Sequence, residues 1–137
     1  MNEISEIGNL KIVLFSLDNL QYALQLSAVS RVVSDVEITP LPKAQEIVMG
    51  VVNYMGEIIP VINLRKRFKL PDRDLELEDQ LIIANTKKRL VGLIVDSVTG
   101  IHELEPDQLT NFEEKFPYAG YISGIAKLDN DIVLIHD

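Results

Sequence analysis

The sequence predicts an all-β protein: two five-stranded units packed together and related by an internal pseudo-two-fold, with short helical turns. Three observations carry this. Ten short apolar runs are separated by turn residues, no long helical periodicity interrupts them, and the second half of the chain echoes the first.

The runs come in order. LKIVLFSL (10–17) and QYALQL (21–26) flank Asp18-Asn19, a dipeptide suited to a tight turn. SAVSRVVSDVEI (27–38) reads as a short helical turn and then an extended run through Val33 to Ile38. Pro40 and Pro42 punctuate, and PKAQEIV allows a helical turn opening on Pro42. GVVNY and EIIPVIN flank Met55-Gly56, where glycine can supply a positive φ. Pro60 cannot donate to a ladder, so this strand is expected at an edge or at a bulge. LRKRFK places Leu64 and Phe68 four residues apart, a short helix with its cations toward water. After the acidic stretch PDRDLELED, five more strands read as QLIIAN, RLVGLIV, TGIHEL, YISGIAKL and DIVLIH. Thr86-Lys87-Lys88 and Asp129-Asn130 mark turns. The connection 104–120 is expected to hold a helical turn near Pro106.

GVVNYMGEIIPVIN (50–63) lies over GIAKLDNDIVLIHD (124–137) at an offset of 74, glycine on glycine. YALQLSAVSRV (22–32) lies over VGLIVDSVTGI (91–101) at an offset of 69, Val29 on Val98. Units this small bury a face economically only against each other. The reading is one domain over 1–137, with a first barrel mainly at 18–70, a second mainly at 79–137, and 10–17 open to exchange between them. The repeat also expects a helix after Asp137. Without it, the apolar side chains of 132–136 are expected to be exposed.

Composition narrows function. With 47% hydrophobic and 25% charged residues the chain is a soluble globular type, and zero cysteines exclude a disulfide framework or a Cys-based metal site. A net charge of −8 argues against nucleic acid, and no stretch approaches the ~20 apolar residues of a membrane span, so the cytoplasm is the expected location. His102 and His136 are single imidazoles in or beside strands. Asp72, Asp74 and Glu76 imitate the start of a calcium loop, but Leu77 stands at the sixth position where glycine is required and Ile83 at the twelfth where a glutamate belongs. No nucleophile elbow or phosphate-binding glycine loop is present. RKRFK (65–69) with Lys87, Lys88 and Arg89 reads as two solvated turns rather than a phosphate patch. The residues point to a protein without catalysis, cofactor or metal.

One further pattern is specific. The succession of Leu26 to Val29, LPKAQEIVMGVVNYMGEIIPVINLRKRF, RLVGLIVDSVTGI and ISGIAKLDNDIVLI resembles the CheW-like chemotaxis coupling proteins, from about Leu10 to Asp137. The resemblance implies two packed SH3-like barrels and an adaptor role. Such proteins bind the cytoplasmic tip of a chemoreceptor (a methyl-accepting chemotaxis protein) and the regulatory domain of a histidine kinase, at receptor arrays on the membrane. Carried over by motif, receptor binding falls on Val29, Gly50, Gly92 and Ile101, and kinase binding on Arg31, Asn53, Tyr54, Met55, Gly56 and Ile58. The family carries glutamate at the position of Arg31, arginine at Met55 and aspartate at Asn63, so a divergent array, such as one governing surface motility, is an expected setting. The alternative reading is a small-molecule-binding β-barrel sensor, which the scarcity of convergent polar groups disfavours.

Overall fold

The computed structural model describes residues 10–34, 37–41, 47–86, 88–104, 109–111, 122–128 and 131–136, with side-chain surroundings for those from 11 to 104. It is all-β. The strands are β1 (Leu10–Leu17), β2 (Leu20–Gln25), β3 (Val29–Ser34), β4 (Thr39–Pro40), β5 (Val48–Tyr54), β6 (Glu57–Ile62), β7 (Gln80–Asn85), β8 (Leu90–Val95), β9 (Ser97–Leu104), β10 (Leu109–Asn111), β11 (Ile122–Leu128) and β12 (Asp131–His136). A 3-10 turn covers Leu26–Ala28, and α1 covers Leu64–Arg67. The ten expected strands are all present. β4 and β10, of two and three residues, are additional and too short to leave a periodic signal, so each sheet has six strands rather than five.

The orders are β10-β11-β12-β2-β1-β9 and β4-β5-β6-β8-β7-β3. The chain divides into two compact units: residues 28–98, and residues 1–27 with 99–137. This corrects the expected division at 18–70 and 79–137, and the reason is strand exchange. β6 pairs in parallel with β8, and β12 pairs in parallel with β2, so each half gives its closing hairpin to the other half's opening hairpin.

The repeat itself is written in the ladders. Gly50 pairs with Val61 after a bulge that begins at Val48, and 74 residues on Gly124 pairs with Ile135 after a bulge that begins at Ile122. Leu14 pairs with Ala23, and 69 residues on Ile83 pairs with Gly92. The parallel joins correspond too: Val61 with Gly92, Ile135 with Ala23. Strand for strand, the sheet of β1, β2 and β9–β12 matches that of β7, β8 and β3–β6. The two units are circular permutations of one another.

β1 and β7 read as continuous apolar runs because both their faces are covered: Ile12 to Phe15 and Leu81 to Ala84 are buried without alternation. In the unit 28–98, Val52, Ile59, Val61, Leu81 and Ile83 make the core, with Val33, Ile38 and Ile94 packed against it. In the other unit the paired residues Phe15 and Tyr22 stack with ring centres 5.8 Å apart.

Pro60 does not sit at an edge or at a bulge. β6 is interior, between β5 and β8, but its ladder to β8 holds only Val61 and Ile62 and begins one residue after the missing donor. The short helix departs from expectation as well. Asn63 caps it, its side chain accepting from the Lys66 N–H at 3.3 Å. Arg65, however, is buried rather than solvated. Its Nη2 donates to both carboxylate oxygens of Asp96 at 2.8 Å, and its Nη1 donates to the Pro71 carbonyl at 3.0 Å. The burial of 132–136, the turns near Pro42 and Pro106, and the Asp129-Asn130 turn lie outside the described residues.

Candidate functional site

The β5–β6 hairpin closes through Met55 and Gly56, with Tyr54 opposite Glu57. Both turn residues have positive φ, 51° and 86°, the geometry whose twist matches the flanking strands. Glycine takes it freely, whereas methionine rarely does. The Asn53 side chain braces the turn by accepting the Gly56 N–H at 3.0 Å.

Alternation then sorts the side chains. Val52 and Ile59 pair and are buried, so their neighbours Asn53 and Ile58, which also pair, point outward. Met55 is 81% exposed and Ile58 59% exposed. Asn53, Tyr54, Met55, Gly56 and Ile58 therefore form one continuous tip: apolar at Met55 and Ile58, partly covered at Tyr54, and stiffened from within. A bulky thioether held in an unfavourable turn conformation and fully wetted is ill explained by folding alone.

Arg31 belongs to the same sheet but not to this tip. It is exposed on the edge strand β3, with β7 and β8 between it and β6. In the ladder order, Arg31 and the β5–β6 turn are not on neighbouring strands. Among the described residues the Arg31 side chain makes no ion pair.

Gly50 and Gly92 share a row with Arg31. It runs Pro40–Gly50–Val61–Gly92–Ile83–Arg31 across all six strands. Val61 and Ile83 are fully buried core residues, so the missing side chains of both glycines would point inward. A β-carbon on Gly50 would run into the Thr39 carbonyl and come within 3.0 Å of Ile38 Cγ2; one on Gly92 would meet Leu81 Cδ1 at 2.9 Å. Glycine at Gly50 is thus a packing requirement of the unit, whereas at Gly92 the contact is only with the movable end of the Leu81 side chain. Val29 is half-buried at the start of β3, and Ile101 is 63% exposed on β9 in the other unit.

Sequence reasoning missed an ionic clasp. Arg73, in the acidic stretch 71–79, donates to both carboxylate oxygens of Asp79 at 2.7 and 3.1 Å, and to Asp96 at 2.7 Å, the carboxylate that also holds Arg65. Hydrogen bonding to Asp79 holds the Arg73 guanidinium above its ordinary value, burial works against this, and Asp96 adds to it. The stretch is a strap held by these bonds. The one signal in the sequence is an arginine among five acids; its partner Asp96 lies beyond the next two strands and no periodicity links them.

Comparison with known proteins agrees with this architecture. Residues 11–137 match the CheW-like domain family. The chemotaxis protein CheW of Thermotoga maritima is 32% identical over 129 residues, covering 93% of this chain and 83% of that protein. The Bacillus subtilis protein of the same name is 30% identical over 130 residues, covering 93% and 83%. Among solved structures, the scaffolding protein TtCheW from Thermoanaerobacter tengcongensis is similar with a TM-score of 0.86 and 34% identity, over 93% of this chain and 88% of that one. With its ladder repeat, its two six-stranded sheets and a match along nearly its whole length, the chain belongs to the CheW-like family.

Proposed function

We propose that the protein is a non-catalytic cytoplasmic adaptor, joining the cytoplasmic tip of a chemoreceptor to the regulatory domain of a histidine kinase. The observation that supports this most is the stiff apolar tip at Met55 and Ile58, a surface built for contact with protein and carrying no reactive group. Kinase contact uses this tip, Asn53 to Gly56 with Ile58, and Arg31 on β3. Receptor contact uses the exposed Ile101 in its own unit and, in the unit 28–98, the half-buried Val29, whose sheet Gly50 and Gly92 also belong to. Arg31, in place of the family's glutamate, suits an acidic group on the partner and favours a cognate partner over a standard one.

Calorimetric titration of the chain with a kinase regulatory domain and, separately, with a receptor-tip hairpin tests the assignment. Ile58→Ser should weaken kinase binding and spare the receptor, and Ile101→Ser should do the reverse. Absence of binding to both partners, together with thermal stabilisation by a metabolite, would replace the adaptor by a small-molecule sensor.

A further inference from the structure

A second apolar feature lies in the unit 28–98, away from the β5–β6 tip. The strap 71–79 crosses a half-open pocket of about 250 Å³ lined by Ile38, Leu75, Leu77, Leu81 and Ile94, with Glu76 and Asp79 among its walls. The floor is core: Leu81 is buried, and Ile38 and Ile94 pack on its cluster. The rim is wet, since Leu75 is 48% exposed and Leu77 is 87% exposed.

The strap has no helix or strand of its own, yet it is held along its length. The Pro71 carbonyl accepts from Arg65, and Arg73 is clasped between Asp79 and Asp96. The 76–79 turn is closed by the Glu76 N–H donating to the Asp79 carboxylate and the Asp79 N–H donating to the Glu76 carbonyl. Two leucines are thereby presented to water at no further ordering cost on docking.

The charge left over around them is acidic, the cations of this stretch being paired, Lys66 with Asp72 among them. Arg73 is taken up by Asp79, Asp96 and Glu76. Asp74 and Glu78 are exposed and have no ion-pair partner among the described residues, and the whole chain carries −8. The pocket's volume falls below the roughly 300–1,000 Å³ usual for small-molecule sites and suits a single side chain.

We infer that the strap and its pocket form a docking site for a basic segment of a partner protein, which seats one large aliphatic side chain over Leu81 between Leu75 and Leu77 and sets lysines or arginines against Asp74, Glu76 and Glu78. The pocket supplies the anchor, and the acidic rim selects the sign of the partner and speeds encounter. This inference is independent of the receptor and kinase assignment, because none of its residues belongs to either proposed surface.

The test is a titration of the full chain, labelled with nitrogen-15, with three 14-residue peptides. One is an amphipathic helix with leucines at i, i+3, i+4 and i+7 and lysines elsewhere; the second replaces lysine by glutamate; the third scrambles the first. The lysine helix should give saturable shift changes confined to Ile38, 75–79 and Ile94. Leu77→Ser, which alters only a wetted side chain, should weaken it about fivefold or more. Glu78→Lys should weaken it about three- to tenfold, with the effect shrinking as salt rises. Both variants should melt with the wild type. Equal binding of the scrambled peptide would reduce the effect to bulk charge and overturn the site. So would wild-type affinity in Leu77→Ser, or shift changes centred on another surface.

Discussion

Replacing Gly50 by alanine adds one methyl group where the structure has no room. The new carbon would meet the Thr39 carbonyl, a backbone group that β4 fixes opposite Val51, and would approach Ile38 Cγ2. Two relaxations are open. Either β4 peels away, giving up its ladder bonds at about 1 kcal/mol each and loosening Ile38 on the core, or the sheet absorbs the overlap at about 1–3 kcal/mol. Removing a glycine from a strand returns about 0.5–1 kcal/mol through the unfolded chain. The net is a loss of about 1 kcal/mol, a fall in melting temperature of about 3–6 °C for a chain of this size. Gly92→Ala meets only the end of the Leu81 side chain, which can turn aside, so its loss should stay under about 1 kcal/mol. Urea and thermal denaturation of both variants read this directly. A Gly50→Ala protein melting within about 2 °C of wild type, or a larger loss at Gly92, would refute the packing account. Any loss of partner binding in Gly50→Asp would then belong to contact, whereas the structure assigns it to damaged fold.

Asp96→Asn leaves the buried Arg65 and the clasped Arg73 without their shared carboxylate, and should cost about 2–4 kcal/mol in urea unfolding. Met55→Asn suits the positive-φ turn and should raise stability by about 0.5–1 kcal/mol while lowering kinase affinity in titration, separating the residue's contact role from its cost to the fold. Arg31→Glu should weaken cognate binding by about 1–3 kcal/mol, and Met55→Arg by less. Because β7 and β8 separate the two positions, the double variant should be additive within about 0.5 kcal/mol; a larger coupling would show that they meet in the complex.

The strands and the two tight turns were legible because local chemistry dictates them. KIVLF and LIIA can only be strands covered on both faces, and Asp18-Asn19 and Met55-Gly56 close hairpins with two residues each. The repeat was legible because Gly50 and Gly124 answer the same demand beside the same bulge. Partner choice among strands was not, since a parallel join such as Val61 with Gly92 is set by distant packing and leaves no mark in either segment. For the same reason Pro60 misled: its missing N–H argues for an edge only when the whole strand is paired on both sides. At the candidate site, the apolar tip could be read from NYMGEII by alternation. The inward aim of Gly50 and Gly92 could not, because a glycine gives no sign of the direction in which its side chain is missing.

The reciprocal exchange of hairpins has a consequence for biosynthesis. Every strand of the unit 28–98 has left the ribosome once Val98 has emerged, so that unit can close while the chain is still growing. The β1–β2 hairpin, made first, must wait for β12, about 110 residues later, before its second edge is paired. At about 5–20 residues per second the stretch from Val98 to β12, about 40 residues, takes several seconds, during which the β2 edge is an open template for any strand of matching pattern. The sister hairpin β11–β12 of a neighbouring nascent chain is such a strand. Crowded translation, rather than heat, is therefore the condition under which this fold is most exposed to intermolecular swapping, and slowing synthesis after Val98 should raise the yield of swapped dimer while leaving the melting temperature of the monomer unchanged.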